Sequence, residues 1–206
     1  MNTTIIRLYL LLVLTGGWLG ANANSTDPQQ MMRDVTDSIL ERLDASPQLR
    51  EDRAALVQLI EEQVFPVVDF DRVARLILGK HWPAASQAQR ARFIDALQIR
   101  LACIYSTAFA SYTDQSVDYL QPRRSDDGRY VEVRARILES GRQPVAVNYR
   151  LLKTDSTWKI YDLVVEGVSL VMNYRASFRQ ILRQQDLDAL IADLQARNAK
   201  GCNNGS

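Results

Sequence analysis

Apolar residues recur every three to four positions along the first half of the chain, which predicts four helices. The first follows Thr26-Asp27-Pro28, where a polar N-cap side chain precedes a proline suited to the first helical turn. Prolines at positions 47 and 66 separate the next segments, and Asp69 is a candidate N-cap for the third helix. The fourth and longest helix is expected to start at the capping box Ser86-Gln87-Ala88-Gln89.

After Tyr112 the period of apolar residues changes from near 3.6 to 2, which is typical of strands with one exposed face. Turn residues at Asp126-Asp127-Gly128, Ser140-Gly141 and Asp155-Ser156 divide this region into four strands. Consecutive strands with tight turns predict an antiparallel meander. The helical period returns at Val171, so the chain is expected to be an α+β domain whose sheet packs against a helical layer.

The fourth predicted strand, Trp158 to Val165, is apolar on both sides. Strict alternation places Trp158, Ile160 and Val164 on one face and Tyr161, Leu163 and Val165 on the other. Such a strand is either covered on both faces or borders a space for a ligand. The pattern alone favours ordinary core packing over a ligand space.

The first 23 residues have the order of a secretory signal peptide. Arg7 precedes an apolar run from Leu8 to Leu19, and Ala21-Asn22-Ala23 is a small-residue cleavage site. The run is shorter than the roughly 20 apolar residues that a spanning helix needs, and glycines interrupt it. We therefore expect a signal peptide at 1–23, a single domain at 24–200 and a disordered tail at 201–206.

Charge and candidate chemistry both favour a binding protein over an enzyme. The segment to Ala23 contains one arginine and no acid, so the remaining chain has as many acidic as basic residues. Bulk charge therefore indicates neither a nucleic-acid partner nor an anionic membrane surface. His81 is the only histidine and has no recognisable catalytic neighbours in the sequence, and no spacing of ligands indicates a metal site.

Four further side chains leave open questions. Asp162 and Glu166 lie in an apolar strand region, where a carboxylate is costly unless it is paired, so a structural ion pair or helix cap is the favoured role. An acid/base carboxylate in a conical pocket is the alternative. Cys103 is expected to be a small buried residue. Whether it forms a disulfide with Cys202 stays open.

Three blocks of the sequence resemble one known family, and one of them is the meander with Tyr149-Arg150-Leu151 before Trp158. The other two carry motifs. Val67–Trp82 resembles its "D-F-x-x-M-A-x-x-x-L-G-x-x-W" segment, and Trp158–Leu170 resembles its "W-x-v-Y-D-v-x-x-E-G-v-S-l" segment. The likeness extends from Met31 to Ala196 and is to the MlaC family, also called the toluene-tolerance auxiliary family. It implies a phospholipid-binding protein of the periplasm whose sheet and helices enclose an apolar cavity for acyl chains. The cargo would be phospholipid, without cofactor or metal.

The resemblance also implies the partners of the protein. It would shuttle glycerophospholipid between an outer-membrane lipoprotein complex and an inner-membrane ABC transporter with its MCE ring, which maintains outer-membrane lipid asymmetry. We expect a monomer with no catalytic residue and no nucleic-acid partner. On this basis the cavity is expected to be lined by Val131, Val133, Val147, Tyr149, Ile160, Tyr161, Leu163 and Val164 from the sheet and by Leu76, Leu78, Ile104 and Phe109 from the helices.

Three alternatives remain at this point. The cargo could be a different lipid such as a hopanoid. The domain could be a cone-shaped α+β enzyme that uses Asp162 or His81. It could also be an adaptor whose apolar interior is an ordinary core. The direction of transport, the lipid species and the residues that dock on partners do not follow from the sequence.

Overall fold

The computed structural model describes residues 27–155 and 157–201. The predicted signal peptide, and all of the predicted tail except Gly201, lie outside these residues. The described chain forms, in order, α1 (Pro28–Ala45), α2 (Arg53–Gln63), α3 (Phe70–Leu78), α4 (Gln87–Ala110), β1 (Ser116–Arg124), β2 (Tyr130–Leu138), β3 (Val145–Lys153), β4 (Trp158–Val165), β5 (Val168–Ser169), α5 (Leu170–Ile181) and α6 (Leu187–Gly201). Short 3-10 turns occupy Pro47–Arg50, Phe65–Val67 and Gly79–His81.

The helices begin where the polar cap residues predict. Asp27 and Asp69 each accept a hydrogen bond of 2.9 Å from a backbone N–H in the first turn of α1 and α3. At α4 both halves of the capping box form, because the Ser86 hydroxyl accepts from the Gln89 N–H and the Gln89 side chain accepts from the Ser86 N–H. Each cap satisfies donors that the helix itself leaves unpaired, at a typical gain of about 1 kcal/mol.

The sheet is an antiparallel meander in the strand order β1-β2-β3-β4-β5, so the predicted α+β fold is confirmed. It has five strands and not the predicted four, because Val168 pairs with Val165 immediately after the turn. Glu166 and Gly167 make that turn with φ of 49° and 80°. A two-residue strand is too short to produce an alternating pattern, which is why the sequence did not reveal it.

A β-bulge in β4 changes which residues share a face. Leu151 pairs with Ile160 whereas Arg150 pairs with Asp162, so Tyr161 is an extra residue without a partner in β3. One extra residue reverses the alternation beyond it. The predicted alternation of β4 is therefore wrong after Ile160. One face contains Trp158, Ile160, Leu163 and Val165, and the other contains Asp162 and Val164.

Within the part of the chain that the structure describes, buried apolar residues form three clusters. The helical cluster joins α3, α4, α5 and α6 around Phe93, Leu97, Phe178 and Leu190. The sheet cluster joins the start of α1 to β2, β3 and β4, and the third cluster joins the end of α1 to α2 and the end of α4. Val68 packs against both the helical and the sheet cluster, so these two clusters are in contact.

Helix α5 is attached to β4 through Asp162, which is 6% exposed. Its carboxylate accepts hydrogen bonds from the Val171 N–H at 3.1 Å and from the Ser169 hydroxyl at 2.7 Å. It also pairs with the Arg150 guanidinium at 3.1 Å. The favoured sequence interpretation, an ion pair or helix cap, is confirmed for Asp162, which serves as both.

A second attachment of α5 uses Arg175, whose Nη1 donates to the Leu76 carbonyl at 3.3 Å. The guanidinium lies against Gly79, where an added Cβ would stand 3.0 Å from Nη2. Gly79 also has φ of 53°. Both the backbone conformation and the close approach therefore require glycine at the end of α3.

Cys103 is 2% exposed in the middle of α4, as the sequence predicts, and it is disulfide-bonded. The only other cysteine of the sequence, Cys202, lies outside the described residues. The expectation that Cys103 is simply a small buried residue is thus incomplete, because helix position alone does not reveal a covalent partner.

Candidate functional site

The face of the sheet that packs on α1, here called the inner face, is closed at one end. Five inner-face residues there, the closed half, are at most 8% exposed and contact Met31 and Met32 of α1. The closed half consists of Val131, Val133, Leu151, Trp158 and Ile160. Val67 and Val68 cover it from the side of α3, where Val68 forms an isolated bridge with Ile160. This part of the sheet is an ordinary filled core.

The other end of the inner face is not filled in the same way. Three cross-strand pairs, here called the open half, lie there: Ile137 with Val145, Val147 with Val165, and Tyr149 with Leu163. Five of these six residues keep accessible surface, up to 38% at Val145, although all six are apolar or aromatic. Apolar side chains on an inward face normally lose their contact with solvent, so this surface lacks its full complement of packing partners.

Helix α4 carries a second apolar surface of this kind, the α4 stripe. It consists of Leu101, Ile104, Tyr105 and Ala108, whose spacing places them along one side of the helix. Ile104 is 36% exposed and Ala108 is also exposed. By length and composition α4 could cross a membrane. This is weak evidence, because the core helix of a soluble protein can pass the same test.

Helices α1 and α5 link the sheet to the helical layer. The start of α1 packs on the sheet through Met31 and Met32, and its end packs near Phe109 of α4 through Ile39 and Leu43. Helix α5 begins on β4 at the Asp162 cap, on the outer face of the sheet. The open half and the α4 stripe are thus two partly exposed apolar surfaces, one on the sheet and one on the helical layer.

On the α5 side, Tyr174 links this helix to the stripe. It packs against the helical cluster and lies near enough to Tyr105 to raise the pKa of that phenol further, after the larger effect of burial. The α4 stripe thus contacts the helical cluster at one end and the third cluster at the other, while its middle belongs to neither.

Two tyrosines of these surfaces have perturbed phenols. Burial raises the pKa of both Tyr105 and Tyr149, so both phenols are neutral at physiological pH. By contrast with these two, the hydroxyl of Tyr119 donates to the Met32 carbonyl at 2.9 Å.

The residues of the enzyme alternative have other surroundings. The Asp162 carboxylate accepts hydrogen bonds from the first turn of α5, from the Ser169 hydroxyl and from the Arg150 guanidinium. His81 is half-buried in a 3-10 turn and makes no hydrogen bond or ion pair with a described residue. Within 27–155 and 157–201, no group of three or more His, Cys, Asp or Glu side chains could hold a metal ion.

The twelve residues that the sequence proposes as lining are placed in several environments. Val147, Tyr149 and Leu163 are in the open half, and Ile104 is in the α4 stripe. Val131, Val133 and Ile160 are in the closed half, Leu76 and Leu78 pack in the helical cluster, and Phe109 packs in the third cluster. Tyr161 is the bulge residue, and Val164 pairs with outward-facing Asn148. Tyr149 of the open half also packs against the closed half.

Sequence reasoning left out several residues of the open half and the α4 stripe: Ile137, Val145 and Val165 of the sheet, and Leu101, Tyr105 and Ala108 of α4. A usable signal existed for α4, because Leu101, Tyr105 and Ala108 follow Leu97 at helical spacing. Val165 could not be assigned, because nothing in the local sequence marks the bulge at Tyr161.

Comparisons with known proteins agree with this geometry. A family model described as "MlaC protein" matches residues 33–196, which is most of the chain. The chain is 23% identical over 174 residues to the "Intermembrane phospholipid transport system binding protein MlaC" of Haemophilus influenzae, covering 82% of this chain and 81% of that protein. It is 26% identical over 192 residues to the "Toluene tolerance protein ttg2D" of Pseudomonas putida, covering 91% of this chain and 88% of that protein.

A solved structure has the same fold. The phospholipid-binding protein of Ralstonia solanacearum, determined in complex with a phospholipid, superimposes with a TM-score of 0.79 at 29% sequence identity. The match covers 84% of this chain and 98% of that structure.

Proposed function

The chain belongs to the MlaC protein family, and from this membership we propose that it is a periplasmic carrier of glycerophospholipid. It shuttles lipid between an outer-membrane lipoprotein complex and an inner-membrane ABC transporter complex with its MCE ring, and so helps to maintain outer-membrane lipid asymmetry. It reaches the periplasm through the signal peptide at 1–23, and residues 24–200 act as a single monomeric domain. It needs no cofactor, metal or catalytic residue. The Haemophilus influenzae relative, named as a phospholipid transport binding protein, and the Ralstonia solanacearum protein, solved in complex with a phospholipid, support this assignment.

The observation that carries the proposal is apolar surface that the described residues leave uncovered. Val145 of the open half and Ile104 of the α4 stripe are exposed, and neither belongs to a cluster of buried residues. Exposed apolar surface on a sheet face and on a helix is costly in water unless a ligand or a partner covers it. Acyl chains have the required chemistry, because they match apolar side chains and leave no polar group unsatisfied.

The energetics favour tight retention of a lipid. Each methylene group transferred from water into an apolar site gains about 0.8 kcal/mol. Two long acyl chains therefore supply much more free energy than a soluble carrier needs, even after the cost of ordering them. Release is the difficult step, so a partner must loosen the helices that flank the bound lipid.

The polar groups suggest how the rest of the lipid is held. The closed half blocks the end of the inner face at Trp158, so the head group points away from it. The head group and the ester carbonyls are the polar parts of the lipid, so they lie at the end of the site that water reaches. This arrangement leaves the charged head group in water, which avoids the large cost of burying it.

The experiment that tests the proposal is extraction of the mature protein after gentle purification from Gram-negative cells. Mass spectrometry of the organic phase is expected to show about one molar equivalent of glycerophospholipid, and the stripped protein is expected to take lipid up again from donor vesicles. A different lipid in stoichiometric amount, such as a hopanoid, would keep the carrier assignment and change its cargo. Lipid-free protein that also takes up no lipid would refute the proposal.

A further inference from the structure

A shallow pocket lies on the outer face of the sheet, opposite the side that packs on α1. It has a volume of about 330 Å³ and is lined mainly by Arg123, Arg124, Tyr130, Glu132, Arg150 and Tyr161. We call it the arginine–tyrosine pocket. Its floor is the outer surface of β2 and β3, and its sides are the end of β1 and the bulged part of β4.

Two irregularities of the sheet build this pocket. The register of β1 against β2 shifts between Leu120 and Arg123, and β4 bulges at Tyr161. Bulges bend a strand and redirect its side chains. The bulge in β4 brings the Tyr161 ring next to Tyr130, with 5.9 Å between the ring centroids in an edge-to-face arrangement. The concavity is therefore a product of the backbone and not of side-chain rotamers alone.

Stacked guanidinium groups hold the two rings in place. Arg72 of α3 lies over both Tyr130 and Tyr161, at 5.7 and 5.4 Å from the ring centroids. Its Nη2 also donates to the Tyr130 hydroxyl at 3.2 Å. Arg129 lies on Tyr130 as well, at 6.0 Å. These contacts fix the aromatic surface before any partner arrives, which reduces the entropy lost on binding.

Three arginines at or beside the pocket form no ion pair with a described residue. Arg150 is paired with Glu132 and Asp162, and Arg124 lies 3.8 Å from Asp27. Arg123 is exposed and forms no ion pair with a described residue, and neither Arg72 nor Arg129 forms one. The chain as a whole is almost neutral, so this surface is a local excess of guanidinium groups.

The pocket is not the head-group end of the proposed lipid site. Tyr130 and Glu132 alternate with Val131 and Val133, so the pocket and the closed half lie back to back on the same stretch of sheet. The closed half is filled by side chains, and it separates the pocket from the apolar region. An anion bound here therefore serves another purpose than holding the cargo.

We propose that the arginine–tyrosine pocket is an interaction surface for an acidic segment of a protein partner. Arginine and tyrosine are the residue types that dominate the energetics of protein interfaces, especially when they line a recess. Guanidinium groups bind carboxylates in a bidentate, geometrically specific way. The pocket is a shallow depression whose aromatic rings are held at fixed positions by Arg72, which suits a geometrically specific carboxylate contact better than the uniform plane of a bilayer. We therefore favour a protein over an anionic membrane.

The test uses the complete mature protein, labelled with ¹⁵N, and a synthetic peptide of alternating glutamate and glycine as the probe. Amide shifts are expected to move at residues 123–132, 150 and 161. A matched peptide with glutamine in place of glutamate is expected to move none of them. Signals that move across all basic surfaces alike, or that do not move at all, would overturn the proposal.

Two charge reversals on the same face sharpen the test. Arg123 and Arg136 are both exposed strand residues on the outer face, but only Arg123 lines the pocket. Arg123→Glu is expected to weaken binding of the glutamate peptide by at least about tenfold, whereas Arg136→Glu changes it less than about twofold. Equal losses in both variants would contradict a specific site.

Vesicles and phosphate distinguish the remaining sources of negative charge. Vesicles with 30% phosphatidylglycerol are expected to bind wild type and Arg123→Glu alike, and inorganic phosphate is expected not to displace the peptide. Vesicle binding that depends on Arg123 in the absence of peptide binding would replace the protein partner by a membrane. Because peptide binding is measured on lipid-free and lipid-loaded protein alike, its failure is distinguishable from failure of the proposed carrier function.

Discussion

The closed half and the open half of the inner face are made by the same strands and by the same residue types, yet they have different surroundings. Leu151 in the closed half is fully buried between α1 and the neighbouring strands. Leu163, on the same face two pairs along, keeps accessible surface. The helices differ at the two ends: α1 lies directly on the closed half, whereas α4 packs on α2, α3 and α6 instead of on the sheet.

The contrast between the two halves shows that composition alone does not decide whether an apolar face becomes filled core or keeps accessible surface. Both halves are rich in valine and leucine, and both alternate with polar residues on the outer face. What separates them is the path of the connected helices, in particular the cap at Asp162 that fixes where α5 leaves β4. The contrast between the halves leads to four predictions.

The largest effect is expected from a matched pair of leucine truncations. In lipid-free protein, Leu151→Ala is expected to lower the free energy of unfolding by about 3 kcal/mol, because it leaves a cavity in a filled core. Leu163→Ala is expected to lower it by about 1 kcal/mol or less, because its side chain has fewer packing partners. Urea unfolding followed by circular dichroism measures both, and equal losses would remove the distinction between the halves.

The next effect concerns the attachment of α5 beside the open half. Asp162→Ala removes a helix cap and leaves Arg150 with only Glu132, so a loss of about 2 kcal/mol is expected after allowance for the partial exposure of Arg150. Glu132→Gln, which removes the other and more exposed partner of the same arginine, is expected to cost less than about 1 kcal/mol. Thermal unfolding of the two variants gives the comparison, and an Asp162→Ala protein as stable as wild type would contradict the structural role.

A smaller effect on stability and a large effect on the amount of bound lipid are expected from adding bulk to the proposed lipid site. Ile104→Trp adds bulk to the α4 stripe and is expected to reduce retained lipid by about tenfold, with less than about 1 kcal/mol of destabilisation. Ile99→Trp adds the same bulk at another exposed position of α4 and is expected to leave lipid retention unchanged. The measurement is lipid per protein by mass spectrometry. Normal lipid content in Ile104→Trp would place the cargo elsewhere.

The smallest effect is expected from the tyrosine hydroxyls and depends on pH. Burial raises the pKa of Tyr149 above its usual value near 10, so the folded state keeps this proton after the unfolded state has lost it. The corresponding stability is fully present below about pH 10 and declines as the pH rises further. Tyr149→Phe is expected to change stability by less than about 0.5 kcal/mol at pH 8 and to reduce the alkaline loss. An identical pH dependence in both proteins would show that Tyr149 ionises freely.

Local chemistry made much of the fold predictable from the sequence. Caps such as Asp69 and Ser86 act over three residues, and strand alternation acts over two, so both are visible in short windows. The role of Asp162 was also predictable, because a carboxylate among apolar residues must be paired.

The remaining features depend on contacts between distant segments. The bulge at Tyr161 shifts Leu163 and Val165 to the inner face, and no local signal marks it. Whether Ile104 and Leu97 of the same helix line a space or fill a core depends on where α5 and α6 pack. A single sequence reveals most of the apolar positions, but it determines neither the face of the β4 residues beyond the bulge nor which apolar surfaces meet.

The central claim is that acyl chains occupy the region between the open half and the α4 stripe, and photo-crosslinking tests it most directly. The stripped protein is loaded with a phospholipid that carries a diazirine near the end of one acyl chain, irradiated, digested and mapped by mass spectrometry. Crosslinks are expected in peptides that contain Ile104, Tyr149 or Leu163. Crosslinks confined to the outer face of the sheet, or spread over the surface without preference, would contradict it.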